Sequence, residues 1–222
     1  MKKVSILAAS LLCVTIGGVY ATWTYAKKNV TDAEGDVSVG LTGVVDSDGT
    51  YGSYSVAINV ELGIDPKADK TDYEAVLNFY EYAAGESFGN LIASDDYATT
   101  AAVVITYKPA TSGIPDDVKT YGVATTWQLV SPKAQGDWKY GESTIFSTID
   151  TEEKTIAVSG NSTDWKKESD GSFTYTITVQ TLSNMITLNT GIKLDTFDKY
   201  TAFKTDLGTK PFTITVTDDI TG

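Results

Sequence analysis

Apolar and polar residues alternate along much of this chain. In SVAINVEL, Val56, Ile58, Val60 and Leu62 fall on one side, and Ser55, Ala57, Asn59 and Glu61 on the other. FTYTITVQT sets Phe173, Tyr175, Ile177 and Val179 against Thr174, Thr176, Thr178 and Gln180, and FTITVTDD repeats the rule with Phe212, Ile214 and Val216. A period of two predicts strands with one face in a core and one in water. Shorter runs of the same kind are Val37-Val39-Leu41, Val103-Ile105-Tyr107, Tyr121-Val123 with Trp127-Leu129, and Ile156-Val158. Threonine crowds the polar sides, as suits a solvated pleated surface. Turn signals separate the runs at Asp48-Gly49, Gly136-Asp137 and Asp170-Gly171. About eight strands with one wet face predict a β-sandwich or barrel.

Two segments break the rule. TDYEAVLNFYEYAAG opens with Thr71 and places Glu74 three residues on, the spacing of a capping box, with Gly85 at the far end. That favours a helix sharing Tyr73, Val76, Leu77 and Tyr80 on one face. Tyr73, Ala75, Leu77 and Phe79 also alternate as a strand would. In TFDKYTAFKTDLG, Phe197, Tyr200, Phe203 and Leu207 recur at steps of three and four and Gly208 follows, which predicts a second helix.

The N-terminus has a different character. Lys2 and Lys3 precede a nearly continuous apolar stretch from Val4 to Val14, and small residues gather at Gly17, Gly18 and Ala21. This is the layout of an export signal. A membrane span needs about 20 apolar residues, whereas Gly17-Gly18 interrupts this run early and Lys27-Lys28 closes it. Two exits fit: cleavage after Ala21, before Thr22, or cleavage after Ala26, before Lys27. Removing 21 residues from 222 leaves 201, suited to one large β domain or at most two small ones. The single cysteine, Cys13, leaves with the signal, and Leu12 before it does not fit a lipoprotein site.

Composition narrows the chemistry. There is no His, and the 17 basic residues are all Lys against 29 acidic ones. The chain thereby lacks the usual general base, the usual zinc ligands and, after cleavage, any thiol. It also lacks the guanidinium fork that reads phosphate or guanine. Loss of Lys2 and Lys3 takes the formal charge from −12 to −14. Such a chain repels nucleic acid and anionic lipid. No catalytic, cofactor-binding or metal-binding residue is assigned, no cofactor is expected, and the expected function is not enzymatic. DSDGTYG resembles the start of a calcium loop at Asp46 and Asp48, but Thr50 and Ala57 occupy later ligand positions. Trp165, beside Lys166 and Lys167, is either a sugar-stacking platform or a ring covering a sheet edge.

Gly17, Gly18, Val19, Tyr20 and Ala21, followed by Trp23 and Tyr25, resemble the signal region of the TasA/camelysin family of Gram-positive bacteria. The resemblance is strong over some 30 residues. It implies cleavage after Ala21 by a SipW-type signal peptidase, a secreted product at the cell surface or in the matrix, a jelly-roll-like sandwich, and assembly into biofilm-matrix fibres. The expected organisation is a signal peptide over 1–21, a mature N-terminal segment over 22–36, and a β-sandwich with one or two short helices over 37–222. TWTYA alternates Thr with Trp23 and Tyr25, so it reads as a short strand with a large apolar face. It either pairs with its own sheet or is the assembly strand that adds to the sheet of another copy. The partners expected are further copies of the chain and, during export, the signal peptidase. Nucleic acid and a stable membrane anchor after cleavage are not expected. A secreted carbohydrate- or surface-binding module is the alternative.

Overall fold

The structure is a computed structural model, and it describes residues 38–46, 51–67, 73–82, 89–112, 123–158, 164–208 and 210–218. The expected signal peptide, the segment 22–36 with Thr22, Trp23 and Tyr25, Asp48 of the calcium-like loop, and Ala21 all lie outside these residues.

The fold is all-β and sandwich-like. Strands β1 (Ser38–Val39), β2 (Leu41–Asp46), β3 (Gly52–Ile58), β4 (Val60–Pro66), β5 (Ala75–Glu81), β6 (Ala101–Pro109) and β7 (Val123–Val130) make the first half. Then follow β8 (Lys139–Tyr140), β9 (Ser143–Thr144), β10 (Phe146–Ile149), β11 (Lys154–Val158), β12 (Lys166–Lys167), β13 (Phe173–Thr178), helix α1 (Val179–Met185), β14 (Ile186–Leu188), helix α2 (Phe197–Leu207) and β15 (Phe212–Asp218). One four-stranded sheet has the order β11-β7-β15-β2 and the other β12-β13-β6-β3. Their pairings are antiparallel except β2 with β15, which run parallel. Two sheets of four match the layer count of a jelly roll, an antiparallel architecture; the parallel β2/β15 pair departs from it.

The alternation seen in the sequence sets the core. Ile105, Ile177, Leu129, Ile214 and Val216 are buried, while Ser53, Ser55, Thr176 and Thr155 face outward. Tyr54 and Thr125 meet between the sheets, hydroxyl to hydroxyl at 2.7 Å. Thr125 is fully buried, so this bond gives its hydroxyl a partner.

SVAINVEL is not one strand but two. Its parity survives across the break, since Val60 and Leu62 are buried and Val56 and Ile58 pack on the core. Asn59 is the joint: its N–H donates to Ala102 O at 2.9 Å, and its carbonyl accepts from Tyr82 N at 2.9 Å. The chain thus leaves the sandwich sheet and enters a second one, ordered β1-β4-β5. Gly40 makes the equivalent joint between β1 and β2, with its carbonyl accepting from Phe212 N at 2.7 Å.

Of the two helix expectations, residues 197–207 are helical. Thr196 caps α2 by accepting from Lys199 N, and Gly208 ends it at φ 76°. Phe203 and Leu207 are buried and Tyr200 is half-buried. The segment after Thr71 is corrected: residues 75–81 are β5, paired along their whole length with β4. Glu74, read as a capping residue, instead accepts from Gly191 N at 2.7 Å through its carboxylate. A β4 neighbour with every register position filled outweighs a local capping signal. A further correction falls at Val179, the last apolar residue of FTYTITVQT. The strand stops at Thr178, whose hydroxyl accepts from Thr181 N and starts α1.

Candidate functional site

Side chains able to carry chemistry are spread out rather than gathered. Among the described residues, no three of His, Cys, Asp and Glu lie close enough to hold a metal ion. Buried Asp65 accepts from Asn78 and Tyr80, while the following carboxylates pair at the surface. Asp150 is held below the usual carboxylate range first by the Glu152 N–H and then by Lys154. Glu168 is lowered by Lys166 and by the Thr174 hydroxyl. Asp170 is lowered by the Ser172 hydroxyl and N–H, and Asp195 by Lys199 at 2.6 Å. Each pairs within its own turn or strand end, which is the pattern of structural surface charges.

Among the described residues, hollows indent the surface at two places that matter here. One, of about 360 Å3, lies beside Gln128, Val130, Lys133 and Gln135. Its amides are engaged by backbone: Gln135 donates to Phe146 O at 3.0 Å, and Gln128 donates to Thr151 O. Lys133 sits 5.9 Å over the Trp138 ring. The other, of about 340 Å3, lies between β5 and β14 and is walled by Leu77, Phe79, Ile186 and Leu188. Neither presents a converging set of polar groups.

Trp165 is not a platform. It is only 5% exposed and packs on Tyr175 with ring centroids 5.7 Å apart. The reading of it as a ring covering a sheet is the one the geometry supports. Trp127 and Trp138 are buried as well.

What the sandwich does present is sheet edges, and they differ. On one side β11 begins at Lys154, which pairs with Asp150 and Glu152, and β12 consists of Lys166 and Lys167. Charged edges of this kind discourage strand pairing. On the other side β2 has no charged residue from Leu41 to Val45, and Val44 and Val45 are 49% and 37% exposed. Beneath it runs β3, pressed so close that a Cβ on Gly43 would come 2.6 Å from Val56 Cγ1. Sequence reading passed over this edge because adjacent Val44 and Val45 break the alternation. The signal available was the uncharged run Gly40–Val45 in a chain this acidic.

The expected assembly residues Trp23 and Tyr25 and the cleavage pair Ala21-Thr22 lie outside the described residues, so the structure does not place them. Among the described residues, no helix is long and apolar enough to cross a membrane. Comparison with family models, curated proteins and solved structures finds no match to this chain. The TasA/camelysin resemblance therefore rests on the motif from Gly17 to Tyr25 alone.

Proposed function

We propose that this chain is the precursor of a secreted structural protein, a subunit of a biofilm-matrix or surface fibre, whose copies join through an N-terminal strand. The observation that carries the reading is the arrangement of residues 17–25. Gly17-Gly18 ends an apolar run, Ala21 offers a cleavage point, and TWTYA then becomes the new N-terminus. Attached to the apolar segment, the strand cannot enter another subunit; cleaved, it can. Two large rings left in water would form a sticky patch, and strand addition removes it. Burying a few hundred Å2 at about 25 cal/mol per Å2 gives several kcal/mol. Association costs roughly 4–15 kcal/mol, so main-chain hydrogen bonds must supply the rest. The fold is compatible with this, since a sandwich, unlike a closed barrel, keeps edges at which a strand can add.

The test is to change Trp23 and Tyr25 together to Ser in the protein that begins at Thr22, and to follow assembly by size-exclusion chromatography. The variant is expected to stay folded and to form no large species under conditions where the parent does. Equal assembly of the two would return the strand to its own domain and remove the basis of the proposal.

A further inference from the structure

We draw no further inference here: the strongest candidate, the apolar hollow between β5 and β14 walled by Leu77, Phe79, Ile186 and Leu188, carries nothing, because nothing in the structure shows what covers it.

Discussion

The indole N–H of Trp138 donates to the carbonyl of Leu207 at 2.9 Å, and both residues are buried. The bond fastens the last turn of α2 to the sandwich. Around it, Trp138 stacks on Phe212 at 5.7 Å and meets Phe146 edge-on at 5.2 Å, and Phe146 meets Phe212 at 5.9 Å. Trp127 offers a contrast, for its buried indole N–H has no acceptor among the described residues. Trp138→Phe strips Leu207 of a partner, while Trp127→Phe removes a donor that bonds to nothing. Urea unfolding is expected to rank the first as more damaging, by about 1–3 kcal/mol.

Tyr54 and Thr125 give the two sheets a polar link between their apolar faces. Tyr54→Phe keeps the ring packing on Tyr107, whose centroid is 4.8 Å away, but leaves a fully buried threonine hydroxyl without that partner. The expected loss is about 1–3 kcal/mol in chemical denaturation. Adding Thr125→Val should recover part of it, because neither apolar group then needs a bond.

Gly40 stands where β1 gives way to β2. A Cβ there would lie 2.9 Å from Pro211 Cβ and 3.1 Å from Pro211 Cα. The obstacle is a ring and its backbone, which cannot swing aside. Gly40→Ala is expected to lower the melting temperature clearly, as overpacking costs about 1–3 kcal/mol. At Gly136 a Cβ would meet nothing within 4 Å, so Gly136→Ala serves as the mild control.

The paired carboxylates set the response to acid. Asp150, Glu168, Asp170 and Asp195 all have folded-state pKa values below the ordinary ones. Each contributes stability that is fully present above its unfolded pKa and is lost as pH falls through the folded one. The loss therefore begins within the ordinary carboxylate range and continues below it. Lys154 and Lys199 are raised by the same partnerships, so their share disappears only in strong alkali. Thermal melts are expected to hold steady near neutrality and fall in acid. The effect should be small for each pair, because these groups face water.

The strands of the sandwich were legible in the sequence because burial there follows a period of two. Phe212, Ile214 and Val216 point inward as their spacing demands. Helix α2 was legible for the same kind of reason, with Thr196 and Gly208 marking its ends. Residues 75–81 were misread because Thr71 and Glu74 mimic a cap, whereas the strand is decided by β4, whose paired residues lie nine or more positions away. The switch from strand to helix after Thr178 was hidden by an apolar Val179 that is buried in either state. The assembly residues could be proposed only from the order of residues about Ala21, and the edge position of β2 came from the fold, its one local trace being the uncharged run Gly40–Val45.

The coupling of cleavage to assembly is tested most directly by electron microscopy of two forms of the protein: one beginning at Thr22, the other retaining residues 1–21. The account predicts fibres from the first form and none from the second. Isolated particles from the form beginning at Thr22, or the same fibres from both, would contradict it.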